Sequence, residues 1–455
     1  MSMKQLNVLL IGSGGREHAI ATFLATSPHL GSLIISPGNP GTKQLGENVP
    51  SQGNQPEQWI PFIRERSIDL IVIGPEQPLV QGWADSFREQ GIAVFGPSKE
   101  AAQLEGSKSY SKAFMQRHAI PTASYRVFQM PAIEDGAGDQ SDPEEWNVKG
   151  AVADSDPLAW IRQNGQFPIV LKADGLAGGK GVFICHTMVE AIDTLHQFQN
   201  NTSLSGAASQ IVVEEFMEGE ELSVFVISDG KTWQTLQHAQ DHKKIGEGDT
   251  GLNTGGMGAY APAPFASETL LQTIETRIVQ PTLEGMRVEG HPYSGILYVG
   301  LMLTNQGPKV VEYNCRFGDP ECQVILPTLK NDLLELMWAV SQQQLSQHEI
   351  QVNNKTYTCV VLASKGYPES YDTGFEIHGL DLPSTEEDTY LFHAGTKEES
   401  GRILTNGGRV LNVVGSGQNL QESIRNTYKI VDQIHFENEY HRTDIGKKGL
   451  FSGKP

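Results

Sequence analysis

The chain has 455 residues and the composition of an ordinary globular protein, too long for one core and so expected to form about two to four domains. Its formal net charge of −20 excludes a general nucleic-acid or membrane-surface binder, since both would repel it at long range. An anionic substrate must be held by local lysines, arginines and helix N-termini.

The chain enters a strand almost at once, without the charged-then-apolar pattern of a secretion signal. Val8-Leu9-Leu10-Ile11 runs into Gly12-Ser13-Gly14-Gly15 and a helix from Arg16. Leu33-Ile34-Ile35, Leu70-Ile71-Val72-Ile73 and Ile92-Ala93-Val94-Phe95 are further apolar runs, each ending at a glycine or proline cluster. Continuous apolar strands separated by helices imply a parallel sheet, and ligands bind beyond the carboxyl ends of such strands.

The first glycine loop looks like a dinucleotide fingerprint, but its sixth position is Glu17. The second strand ends in Ser36-Pro37-Gly38-Asn39, where a nicotinamide enzyme would place a ribose-binding carboxylate. Nicotinamide binding is therefore rejected. A helix N-terminus with nearby glycines still favours a phosphate. Together with the second cluster, Gly38 to Thr42, the loop suits one sugar phosphate; the alternative is tight turns that pack helix on sheet.

From about Gly106 the pattern changes. A helix from Ser109 to His118 precedes an acidic stretch, roughly Met130 to Asp156, that reads as a surface excursion. Hairpins follow: Ile169 to Lys172 with Val182 to Ile184, then Ile211 to Glu214 and Leu222 to Ile227, the latter turning at Asp229-Gly230. A long glycine-rich loop is expected over 246–258. Gly295 to Leu303 and Val310 to Asn314 flank Asn305-Gln306-Gly307 as another hairpin. A small β-rich unit with Val360 to Ala363 and an Asn406-Gly407 turn closes the chain. Four cysteines (Cys185, Cys315, Cys322, Cys359) show no paired or zinc-like spacing, so free thiols in a reducing, cytoplasmic setting are expected. No apolar run approaches the ~20 residues of a membrane helix.

Lys172 to Val182 sets lysines on either side of a glycine-rich turn between strands. Lys180 is followed by Gly181 rather than Ser or Thr, so this is not a Walker loop; it fits a lid over a triphosphate. A lysine at the end of an apolar strand, as Lys172 is, has few bland explanations. Glu214, Glu215 and Glu221 offer acceptors for an adenosine ribose, with a solvated acidic turn as the rival. Glu312 and Asn314 alternate on one strand face. A carboxylate and an amide so placed suit Mg²⁺ at a nucleotide, which takes one or two protein oxygens plus phosphates and waters. Arg316, Asp319 and Glu321 follow directly, so many charges beside an apolar strand that they require pairing.

Taken together these residues resemble the ATP-grasp superfamily and, within it, the phosphoribosylamine–glycine ligase (glycinamide ribonucleotide synthetase) family. The most specific element is Arg316-Phe317-Gly318-Asp319-Pro320-Glu321-Cys322-Gln323. Supporting matches run from Gly12-Ser13-Gly14-Gly15-Arg16-Glu17-His18-Ala19 through Gly74-Pro75-Glu76, Gln240-Asp241-His242-Lys243 and Asn253 to Tyr260, to His393-Ala394-Gly395-Thr396 and Thr405 to Val410. The resemblance implies a multidomain α/β chain: an N-terminal parallel-sheet α/β domain (1–106) binding the sugar phosphate, a central ATP-grasp α+β domain (107–330) and a small C-terminal β-rich domain (331–455).

It implies a cytoplasmic enzyme of purine biosynthesis, a monomer without nucleic-acid or membrane partners. ATP would phosphorylate glycine, and 5-phosphoribosylamine would attack the glycyl phosphate. By carry-over, Glu312 and Asn314 ligate Mg²⁺ or Mn²⁺, and Lys108 and Lys172 hold ATP phosphates under Gly178, Gly179, Lys180, Gly181 and Val182. Glu214, Glu215 and Glu221 line the adenosine pocket. Phosphoribosylamine sits on Gly12, Gly14, Gly15, Gly38, Asn39 and Gly41, with Glu76 and Glu321 also contacting substrate. Arg316 stabilises the transferring phosphoryl group, and Asp241, Asp319 or Glu321 holds the ammonium of glycine. The runners-up are a related carboxylate–amine ligase or purine-pathway carboxylase, and a nucleotide-sensing module without turnover. The acidic segment 129–153 is longer than the family's usual connection and is expected to be a surface insertion.

Overall fold

The computed structural model describes residues 4–130, 156–178, 181–200, 209–381 and 388–451. The acidic segment beyond Met130, and Gly179 and Lys180 of the glycine-rich turn, lie outside these residues.

The N-terminal apolar runs form one five-stranded parallel sheet, with Leu6–Gly12 at its centre between Leu30–Pro37 and Leu70–Ile73. The outer strands are Glu47–Asn48 and Ala93–Phe95. Alternation divides the central residues between two cores: Leu9, Ile11, Ile34 and Ile71 face one, while Val8, Leu10, Leu33 and Val72 face the other. Burial on both faces is why these runs are continuously apolar. The chain leaves the central strand first to one side and later to the other, so the order reverses beyond Gly12. Ligands bind at such a switch point. Gly38 N–H donates to Gly12 O and Gly74 N–H to Ile11 O, which brings three loops to one edge.

Two antiparallel sheets follow. The first is ordered Tyr125–Gln129, Gln210–Glu215, Ile169–Ala173, Val182–Cys185. Its Ile169, Leu171, Ala173, Ile211 and Val213 join a core with the helices Pro157–Asn164 and Met188–Asn200. The intervening residues Lys172 and Glu214 therefore face away from those helices. The second sheet is ordered Trp233–Thr235, Glu220–Asp229, Ser294–Thr304, Gly307–Asn314.

The sequence-based hairpin of Ile211 to Glu214 with Leu222 to Ile227 is a correction. Both edges of Gln210–Glu215 are occupied, by Tyr125–Gln129 and Ile169–Ala173. Glu220–Asp229 pairs instead with Ser294–Thr304, so the connection crosses between sheets. The expected 246–258 loop also contains structure: Lys244–Gly246 and Thr250–Asn253 form a small ribbon.

The last sheet is ordered Gln240–Asp241, Gly258–Ala261, Thr356–Ser364, Arg409–Gly417, Tyr390–His393. It draws two strands from the middle of the chain. Gly258 permits this approach, since a Cβ there would meet Cys359 O at 2.6 Å.

Candidate active site

The apolar strand Ile169–Ala173 carries Lys172 into the space between the two middle sheets. Lys172 Nζ lies 2.9 Å from Glu214 Oε2 and donates to Val311 O at 3.3 Å on the facing sheet. The same Oε2 is 3.0 Å from Lys112 Nζ, which also donates to Thr122 Oγ1 at 2.7 Å. Two ammonium groups thus share one buried carboxylate, leaving a net positive row. Glu214 Oε1 has no partner. Glu214 Oε2 is thus committed to the two ammonium groups, while Oε1 remains an open acceptor. Burial lowers the Lys112 pKa to about 8 against the pull of Glu214.

Lys108 opens the helix Lys108–Arg117 and donates from Nζ to Gly175 O at 3.1 Å. Asp174 accepts from Ser109 N–H at this helix N-terminus and from Ser107 Oγ, fixing the turn against the helix. Burial lowers the Lys108 pKa; Glu312 opposes that shift and Lys172 adds to it, which places all three charges together. In the turn, Gly178 has φ +56 with open space around it, and Val182 pairs with Lys172. Glu215 lies apart, bound to Lys309 at 3.2 Å and to Ser124 N–H.

On Gly307–Asn314, Tyr313 turns into the core and bonds Thr282 Oγ1. Glu312 and Asn314 accordingly face the other way, into the space holding the lysines. Burial would raise the Glu312 pKa, but Lys243, Lys172, Lys108 and Arg316 hold it below its usual value. Lys243 lies 3.7 Å from Glu312 and is closer to Glu221, at 3.1 Å. No group of three or more acidic, histidine or cysteine side chains capable of holding a metal occurs among the described residues. The pair fits a cation that completes its shell with phosphates and water, and does not fit an all-protein cage.

Arg316, just past that strand, donates to Glu105 Oε1 at 2.8 Å and Glu76 Oε2 at 3.3 Å. Glu105 Oε2 accepts from Cys315 N–H at 2.7 Å. Arg16 Nη1 donates to Phe317 O at 3.1 Å. The switch-point loops are thereby joined to the end of the Glu312 strand. Burial opposes it, yet Arg316 and Arg16 keep the partly exposed Glu76 carboxyl below its usual pKa.

The glycine loops depart from expectation. Glu17 folds back over its own turn, accepting from Gly14 N–H at 2.7 Å and Arg16 Nε at 2.7 Å. A Cβ on Gly12 would meet Glu17 Cγ at 2.3 Å, and one on Gly74 would meet Glu17 Oε1 at 2.3 Å. These glycines make room for an internal carboxylate that caps the helix. In the second loop, Asn39 Oδ1 accepts from Gly41 and Thr42 N–H, and its Nδ2 donates to Ser13 O and His393 O. All four hydrogen-bonding positions of that amide are filled, so the Asn39 side chain braces the loop. Gly38 N–H is bound to Gly12 O, so this loop is no open cradle of donors. Gly41 gives space to the His18 ring.

Among the acidic candidates the structure discriminates. Asp319 accepts from Gln323 Nε2 at 2.8 Å and lies 3.5 Å from Arg409, whose Nη1 also binds Gly255 O at 2.7 Å. Although burial raises it, Arg409 and Arg16 depress the Asp319 pKa. Asp241 and Glu321 are both buried with raised pKa values, Asp241 to about 8; burial is the main cause, with Glu321 and Glu221 adding to the Asp241 shift and Asp319 to that of Glu321. Glu321 Oε1 accepts a long bond from Ser223 Oγ, 3.4 Å, whose other partner is Tyr298 OH. A buried carboxylate pair of this kind suits an incoming ammonium.

Lys112, Lys243 and Glu105 are site residues that sequence reasoning left unassigned. Lys112 stands four residues after Lys108 on one helix, hence on the same face, a spacing visible in the sequence. Lys243 lay inside a recognised motif without a role. Glu105 likewise lay inside a recognised motif, Glu105-Gly106-Ser107-Lys108, without a role, because its partner Arg316 is distant in the chain.

Residues 6–105 match the family model for the phosphoribosylglycinamide synthetase N domain, 146–322 its ATP-grasp (A) domain and 357–448 its C domain. The chain is 42% identical to a phosphoribosylamine–glycine ligase of Chlorobaculum tepidum, covering 98% of this chain and 100% of the other. It is 44% identical to the ligase of that name from Agrobacterium fabrum, covering 98% and 99%. A bifunctional purine biosynthetic protein of Pichia angusta is 45% identical over 100% of this chain, which spans 55% of that protein. Among solved structures, the Thermotoga maritima phosphoribosylamine–glycine ligase superposes with a TM-score of 0.78 at 34% identity, covering 97% and 100%. A Campylobacter jejuni biotin carboxylase, at TM-score 0.68 and 14% identity over 100% and 96%, shares the fold.

Proposed function

The chain belongs to the phosphoribosylglycinamide synthetase family, and we propose that it ligates glycine to 5-phosphoribosylamine through a glycyl phosphate formed beside Lys172 and Glu312. It is an ATP-dependent ligase forming a carbon–nitrogen bond in purine biosynthesis. A glycine carboxylate oxygen attacks the γ-phosphorus of ATP and ADP departs. The amine of 5-phosphoribosylamine then attacks the acyl carbon; phosphate leaves, the amine loses a proton, and glycinamide ribonucleotide remains.

Lys172 and Lys108 hold the ATP phosphates, and the turn through Gly178, Gly181 and Val182 covers them. Lys112 offsets the Glu214 charge, so the row presents positive potential to the triphosphate. Glu312 and Asn314 would hold Mg²⁺ or Mn²⁺, which supplies charge neutralisation for the phosphoryl group. The backbone of Glu214 and Glu215, with Glu221, borders the adenosine. Asp241 and Glu321 receive the ammonium of glycine. Arg316 braces the phosphoryl site from its anchorage on Glu76 and Glu105. Phosphoribosylamine lies against the switch-point loops; Gly12, Gly14, Gly15, Gly38 and Gly41 shape that surface, and the partly exposed Glu76 accepts from a substrate hydroxyl.

The observation that carries this reading is the Arg316–Glu76 contact, which sets the sugar-side loops beside the ATP strand. An acyl phosphate and a labile amine need that adjacency. The same reading makes the protein a cytoplasmic monomer. Its four cysteines are unpaired, and no helix among the described residues is long and apolar enough to cross a membrane. The test is ADP release dependent on both glycine and phosphoribosylamine; release needing neither overturns the reading.

A further inference from the structure

The segment 440–448, near the end of the chain, reaches back onto residues 241–249. Arg442 is only 1% exposed. Its guanidinium donates four hydrogen bonds: two to the Asp444 carboxylate at 2.8 Å each, one to Asp249 Oδ1 at 2.8 Å and one to Lys244 O at 2.9 Å. Asp444 Oδ2 also accepts from Gly248 N–H at 2.8 Å. Gly446 N–H donates to His242 Nε2 at 3.2 Å, Tyr440 OH to Ile245 O at 2.7 Å, and Lys448 Nζ to Asp241 O at 3.1 Å.

The stretch these contacts hold is laddered along one side, where Met257 N–H donates to His242 O and Thr254 N–H to Lys243 O. Gln240–Asp241 is a two-residue strand paired on one side to Gly258–Ala261. The ribbon beyond it has a register shift between Lys244 and Gly246. Between them stand the buried Asp241, and Lys243, which reaches Glu221 and Glu312. Burying a guanidinium is expensive unless it is fully paired, and the pairing here spans both segments.

We propose that Arg442 is a positioning residue, the pivot of a clasp by which the 440–448 segment holds Asp241 at the glycine subsite. The inference rests on the assignment of Asp241 and Glu321 to the glycine ammonium. Arg442 itself touches no substrate. Its effect falls on glycine through Asp241, whose backbone carbonyl the clasp holds directly by way of Lys448 Nζ.

Steady-state kinetics of the full chain test it, with R442Q, R442K, D249N and D241N compared against the unaltered protein. R442Q is expected to raise the KM for glycine about tenfold and to leave the KM for ATP within about twofold. R442K should recover part of the loss, since it keeps the charge but not the fork. D249N removes one charge of the clasp at a half-exposed position whose φ of +54 asparagine accommodates, and should shift glycine KM in the same direction even if R442Q fails to fold. A purely structural role predicts lower melting temperature or active fraction with both KM values unchanged, and that result overturns the proposal. If D241N raises glycine KM while R442Q and D249N do not, the clasp alone is wrong. If D241N leaves glycine KM unchanged, the glycine assignment fails and the clasp falls with it.

Discussion

Lys172 Nζ stands 2.9 Å from Glu214 Oε2, across two adjacent strands and inside the seam between the middle sheets. Because Lys112 shares the same oxygen, loss of the carboxylate leaves two buried ammonium groups facing each other. Glu214→Gln should therefore destabilise the fold by about 3–5 kcal/mol, read by denaturant unfolding. Lys172→Met leaves Glu214 paired with Lys112; the fold should persist while the KM for ATP rises at least about tenfold. Near-normal ATP affinity in Lys172→Met would remove Lys172 from the phosphate site.

The metal pair makes a separate prediction. Glu312→Gln and Asn314→Ala should each lower turnover about a hundredfold or more, with unchanged melting temperature and a higher divalent-ion requirement. Wild-type rates in either variant would overturn the ligand assignment.

Asp241 links pH to stability. Burial, with Glu321 and Glu221 adding to it, raises its pKa from 3.8 to about 8 in the folded state. Folding thus favours the protonated form; the stability it contributes is fully present below about pH 4 and is lost as pH rises through about 8. Asp241→Asn should flatten the fall in unfolding free energy over that window. In the unaltered enzyme, bound glycine ammonium should ionise Asp241 and release protons near pH 7. Calorimetry in buffers of different ionisation enthalpy reads that release, and buffer-independent heats would argue against the contact.

Gly15 opens the helix under the first loop with no room for a side chain. A Cβ there would meet Asn412 Nδ2 at 2.3 Å and Gln323 Nε2 at 2.7 Å. Gly15→Ala should cost about 1–3 kcal/mol and disturb the Gln323–Asp319 bond. A melting curve matching the unaltered chain would show that this three-way junction yields more easily than its packing implies.

The parallel sheet was legible because strands buried on both faces leave continuous apolar runs, as Val8 to Ile11 does. Lys172 and the Glu312/Asn314 pair were legible for a related reason: period-two alternation and a charge at the end of an apolar strand are local signals. The partner of Gln210–Glu215 was not, because strand pairing depends on which edges are free, and those edges belong to residues far away in sequence. Asn39 shows the same limit from the other side. The acceptors of its amide, Ser13 O and His393 O, come from segments that only the fold brings to a glycine-flanked asparagine. Lys112, Lys243 and Glu105 had no assigned role because a buried charge is explained only by its counter-ion.

The most direct test supplies ATP, Mg²⁺, glycine and freshly prepared phosphoribosylamine together and identifies the product. The account predicts ADP release that requires both co-substrates and yields glycinamide ribonucleotide one for one. Equal turnover with bicarbonate in place of glycine, or no product at all, would contradict it.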